Sequence, residues 1–204
     1  MVVGRTLLWA SLWLGVGADP SRAQTRPPGC FWPGPHPQCS SWAITESGLY
    51  TRISDRNPGG LQFLFTSAFG LMRNVGPRAA WGGELFVCGG DPLRGGVAVR
   101  TRRWLSQRAA ADIAAGVHLF SEGGSQHLKR GSPMVTGRVT YADWVAVAAR
   151  LDVLRFRDPP NGSLPGGGTK TRLYVGVEVG RWPGLVVNLA AGLGVLVAAG
   201  ASPQ

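Results

Sequence analysis

A chain of 204 residues with 44% hydrophobic and 16% charged residues carries enough apolar content to bury one core, which excludes a disordered polypeptide. Its 31 glycines favour strands and turns over long helices. The formal net charge of +10 is almost all arginine, Lys129 and Lys170 being the only lysines, and it points to an anionic partner; without a helix-turn-helix or zinc-knuckle pattern, nucleic acid is not expected.

The N-terminus has the layout of a secretory signal peptide over residues 1–23. Arg5 precedes an apolar run from Thr6 to Ala18, and the small residues Ser21 and Ala23 stand before a cut after Ala23. Export follows, and with it an oxidising compartment. Residues 24–41 form a Pro-rich segment in which Cys30 and Cys39 flank Pro33, Pro35 and Pro37, and a structural disulfide between the two is expected. His36 lies between them, but one His and two Cys lack a fourth ligand, so no metal is expected. Cys88 falls in a strand and reads as a small apolar filler.

From Trp42 the dominant period is two. The expectation is an all-β, antiparallel up-and-down barrel over residues 42–180, with strands at 42–52, 61–72, 79–88, 93–103, 109–120, 133–142, 145–156 and 169–180. Most run ten to twelve residues, close to the length that a tilted strand needs to cross a bilayer. Odd positions are apolar, as in Phe63, Phe65, Phe69, Val97, Val99, Val139 and Val177. Charges gather at even positions: Glu84, Arg94, Arg100, Arg102, Asp112, His118, Arg138, Arg150, Asp152, Arg172 and Glu178.

Either the apolar face lines a soluble core, or it meets lipid and the charges fill a lumen. The even face also carries Ala68, Gly82, Gly96, Ala98, Ala114, Gly116, Ala148 and Gly176. A solvated strand face would show Thr, Ser, Lys and Gln there. Small residues alternating with long ionic ones suit the interior of a narrow barrel. The ten charged or imidazole residues Glu84, Arg100, Arg102, Asp112, His118, Arg138, Arg150, Asp152, Arg172 and Glu178 are therefore the expected lumen network.

Connections alternate in length. Short turns near Asn74–Pro77, Leu105–Arg108 and Asp143 share one end with both termini of the barrel; the loops Ser121–Ser132 and Arg157–Gly168 belong to the other. Trp42, Trp81, Trp104, Trp144 and Trp182 fall at the short-turn end, where an interfacial aromatic girdle is expected. In this pattern residues 42–180 resemble the small eight-stranded outer-membrane β-barrel proteins. The resemblance implies an outer-membrane location, with the lipid bilayer as partner and a polar lumen too narrow for an open pore.

Residues 181–204 form a hydrophobic tail in which Pro183 is a suitable first-turn residue, so a helix is expected. It could anchor the chain, cap the barrel or add a strand. Neither a cofactor nor catalysis is expected. His118, Ser121 and Glu122 are the best catalytic candidates, but His118 and Ser121 are three apart and point oppositely on a strand. Gly166–Lys170 has Thr before Lys, the reverse of a phosphate-cradling loop, and Gly123–His127 lacks the context of a nucleophile elbow. Asn161, Gly162 and Ser163 match a glycosylation acceptor. His127, Lys129 and Arg130 could offer a shallow site for an anionic surface ligand.

Two functional expectations follow. The first is an outer-membrane barrel with a structural or surface-interaction role. The second is a soluble periplasmic or secreted barrel binding a small apolar ligand, with Phe63, Phe65, Val99 and Val139 lining its pocket.

Overall fold

Alternation of period two runs the chain through eight strands: β1 (Ser41–Arg52), β2 (Phe63–Gly76), β3 (Ala79–Gly89), β4 (Leu93–Trp104), β5 (Ala109–Glu122), β6 (Ser132–Tyr141), β7 (Val145–Phe156) and β8 (Gly168–Gly180). Each pairs antiparallel with the next, and β8 returns to β1, closing the barrel. The computed structural model describes residues 37–54, 63–90, 93–122, 128–156, 168–181 and 183–190. The leader through Ala23, Cys30 and therefore its pairing with Cys39, His36, His127, the loop 157–167, Trp182 and residues 191–204 lie outside the described residues.

The register sets the barrel's width. A path across the ladders from Ser41 through Arg73, Trp81, Thr101, Ile113, Gly137, Ala149 and Val175 returns to β1 at Thr51, ten residues further along. A stagger of ten over eight strands tilts the strands by roughly 40–45° and leaves an interior that side chains can fill. The short connections β2–β3, β4–β5 and β6–β7 all lie at the end where β1 begins and β8 stops, here termed the near end. In the β6–β7 turn Ala142 and Asp143 take φ of 53° and 55°, and the Trp144 N–H donates to the Tyr141 carbonyl at 3.1 Å.

The even face points inward. Tyr50, Leu64, Phe86, Met134 and Tyr174 pack together inside the half of the barrel away from the near end, in one cluster with the small Ala98, Ala114 and Ala148. At the near end Trp42, Ile44, Met72 and Trp104 form a second apolar cluster, and Trp104 Nε1 donates to Asn74 Oδ1 at 2.8 Å. The odd face points outward and is predominantly apolar on β2 to β8, as in Leu71, Leu85, Val99, Ile113, Val139, Val147 and Val177, while β1 contributes Leu49 among Ser and Thr.

This placement corrects two expectations. Phe63, Val99 and Val139 are about 60% exposed on the outer wall and Phe65 shares their parity, so these residues line no interior pocket. Trp42 and Trp104 are buried inside the barrel, whereas Trp81 and Trp144 are exposed outside it. The expected girdle grouped the tryptophans by end and not by parity. Even-numbered strand residues turn inward; Trp144 lies in the β6–β7 turn, between Tyr141 and Val145 and outside the pleat of either strand, so parity does not govern it.

The tail neither caps the lumen nor adds a strand over its described part. Arg181 takes a φ of 57° after β8, and a helix, α1 (183–190), lies against the outer side of β1. β8 ends opposite Glu46, so the backbone of β1 beyond that point needs other partners. Asn188 Nδ2 donates to the Glu46 carbonyl at 3.3 Å. The Thr45 hydroxyl donates to the Arg181 carbonyl at 3.0 Å, and the Ser47 hydroxyl lies between Asn188 Oδ1 and the Gly184 carbonyl.

Candidate functional site

The inward charges sort into two layers along the barrel axis. Arg100 on β4 is the centre of the near layer. Its Nη1 is 2.6 Å from Glu46 Oε2 and 3.2 Å from Glu84 Oε2, and its Nη2 is 2.9 Å from Glu46 Oε1 and 2.6 Å from Asp112 Oδ2. Arg138 on β6 joins Glu178 at 2.7 Å and Glu84 at 3.2 Å, and the Tyr50 hydroxyl donates to Glu178 Oε1. These strands are not all neighbours, so the bonds brace one wall against another.

Arg102 closes the layer toward the near end. It grips Asp112 with two bonds, Nε to Oδ1 at 2.6 Å and Nη2 to Oδ2 at 2.8 Å, and reaches Asp143 in the β6–β7 turn at 2.8 Å. Its guanidinium carbon lies 5.7 Å from the Trp42 ring centroid and 4.9 Å from that of Trp104. The two inward tryptophans thus stack on a cation that the carboxylates fix in place. Burial pushes the Asp143 carboxyl above its ordinary 3.8 despite the Arg102 guanidinium beside it.

The far layer is built around Asp152 on β7. Arg94 reaches its Oδ2 at 2.7 Å and Arg150 its Oδ1 at 2.8 Å, while His118 Nε2 stands 3.6 Å from Oδ1. The His118 ring packs edge-on against Phe86, with centroids 5.3 Å apart, and Arg150 lies over the same Phe86 ring at 4.9 Å. Cys88 is buried in the apolar cluster beside them.

Nine of the ten expected lumen residues are fully buried in these two layers: Glu84, Arg100, Arg102, Asp112, His118, Arg138, Arg150, Asp152 and Glu178. Arg172 also faces inward but is half-buried, and it makes no ion pair among the described residues. Glu46, Asp143, Tyr50 and Tyr174 join the network without having been singled out in the sequence, and Arg94, noted only for its parity, holds Asp152. Glu46 was obscured because β1 alternates poorly. The candidate pair His118 and Ser121 is not brought together: Ser121 Oγ accepts from the Leu128 N–H at 3.3 Å, and His118 faces Asp152 inside.

Among the described residues no cluster of His, Cys, Asp and Glu could hold a metal ion. The lumen is filled by ion pairs and aromatic rings at both levels, and what this arrangement does directly is brace the wall and occlude the axis. No family model matches the chain, and no curated protein matches it.

Proposed function

We propose that this chain is a small outer-membrane β-barrel with an occluded ionic lumen and a structural or surface-interaction role carried by its loops. The observation that supports the reading is the inversion of polarity across the wall. β2 to β8 each present several large apolar side chains outward, β1 presents Leu49, and nearly every inward ionic group among the described residues is buried. Soluble monomers rarely leave contiguous apolar surface beyond a few hundred Å² exposed. A bilayer removes that cost, and a closed antiparallel sheet satisfies every wall hydrogen bond without water.

Dimensions agree with this reading. β1, β4 and β7 each have 12 residues, and at the tilt set by the register such strands rise roughly 25–30 Å, against an apolar band of about 25 Å for barrels of this kind. The short turns share one end, as periplasmic turns do. α1, with Val186, Val187 and Leu189 exposed, would lie along the outer wall in the lipid interface.

The test is fractionation of cells expressing the full chain, followed by gel migration of the membrane fraction with and without boiling. Recovery in the outer membrane with a heat-dependent shift is expected. Recovery as a soluble species without detergent would overturn the reading.

A further inference from the structure

The two lumen layers carry opposite excess charge. In the near layer Glu46, Glu84, Asp112, Asp143 and Glu178 outnumber Arg100, Arg102 and Arg138. In the far layer Asp152 is the sole buried carboxylate among the described residues, and Arg94 and Arg150 already hold one oxygen each.

Two further guanidiniums stand at the rim of that layer. Arg172 is in register with Asp152 on the same face, and Arg52 is in register with the inward Tyr174. Both are half-buried, and neither has an ion-pair partner among the described residues. The Nε atoms of Arg52, Arg172 and Arg94 and the Nη2 of Arg150 are buried and have no acceptor among the described residues. Among the described residues, two guanidiniums on Asp152 and two more at the rim face one buried carboxylate, which leaves an excess of positive charge at this end, and buried donors without acceptors are costly.

We propose that the far end of the lumen is a binding site for a dianionic oxyanion of the phosphoryl type. Arg52 and Arg172 form its mouth, and Arg94 and Arg150 form its floor. A guanidinium fork matches a tetrahedral oxyanion with paired bonds, and a dianion offsets this excess better than a single carboxylate. The half-buried pair gives the ligand its approach from the loop end. The site is defined by the lumen alone, so it stands independently of what covers the outer wall.

The ligand could be free phosphate or the phosphomonoester headgroup of a lipid, and one experiment separates them. The purified full chain is unfolded thermally in non-ionic detergent, or in plain buffer if it is soluble, with phosphate or chloride at equal ionic strength. A second series uses mixed micelles containing phosphatidic acid or phosphatidylcholine. A higher midpoint in phosphate identifies a free anion; a higher midpoint only with phosphatidic acid identifies a headgroup.

In the double variant Arg52→Gln, Arg172→Gln the apparent affinity should fall at least about ten-fold, since two charge-assisted contacts are lost. Arg172→Lys, which keeps the charge and loses the fork, should weaken binding several-fold and guards against a double variant that does not fold. Identical midpoints in all four media, or an unchanged response in the variants, would overturn the proposal.

Discussion

Arg100 on β4 and Glu46 on β1 face each other across the lumen and join through two parallel bonds of 2.6 and 2.9 Å. The strands are not neighbours in the sheet, so this pair ties opposite walls where no backbone ladder can. Replacing Arg100 by Met leaves Glu46, Glu84 and Asp112 without their shared cation. The expected loss is about 3–5 kcal/mol, the usual cost of an uncompensated buried charge. Urea unfolding of the detergent-held protein, followed by loss of the compact band, measures it.

Arg138 and Arg172 give a matched comparison, since both face inward. Arg138→Leu removes bonds to Glu178 and Glu84 and should cost about 3–5 kcal/mol. Arg172→Leu removes no ion pair and should cost less than about 1 kcal/mol. Equal losses in the same titration would contradict the division of the lumen into paired and unpaired guanidiniums.

The seat of α1 depends on Gly184. A Cβ there would stand 2.6 Å from the carbonyl oxygens of both Thr45 and Val179, and those are fixed backbone atoms. Gly184→Val should therefore lift the helix from β1 while leaving the strand ladders intact. Limited proteolysis should cut the C-terminal segment faster in the variant, with the barrel core surviving at the parent's rate.

The same contact explains what the sequence concealed. Ser47 has outward parity yet is buried, because α1 covers it, and this is why β1 shows no clean alternation. Elsewhere parity alone sorted the residues correctly: Arg100, Asp112, Arg138 and Asp152 could be placed inside because nothing interrupts the pleat around them. Parity also puts Trp42 and Trp104 inside, and grouping them by their end of the barrel gave the wrong face. Partners across the lumen, such as Glu46 for Arg100, depend on barrel closure and stagger, which local alternation does not encode.

Asp143 supplies a pH dependence. Its folded-state carboxyl is raised above the ordinary value by burial, so its contribution to stability is present below the unfolded value and is lost as pH rises through the folded one. At neutral pH the ionised side chain is a cost. Asn tolerates the left-handed backbone at this position, so Asp143→Asn should melt above the parent at pH about 7, with the gap closing toward pH about 3 as the parent protonates. Thermal unfolding at both pH values tests this; a gap that widens on acidification would reverse the assignment.

The proposed contact of the apolar outer wall with lipid is tested most directly at Leu85. This side chain lies mid-strand on β3 between Phe69 and Val97 and is 62% exposed. The measurement is the unfolding free energy of Leu85→Arg against the parent, each reconstituted in bilayers. A wall in lipid predicts a loss of about 2–4 kcal/mol for Arg near the bilayer midplane. A change within about 0.5 kcal/mol, the ordinary result at a water-facing site, would contradict the account.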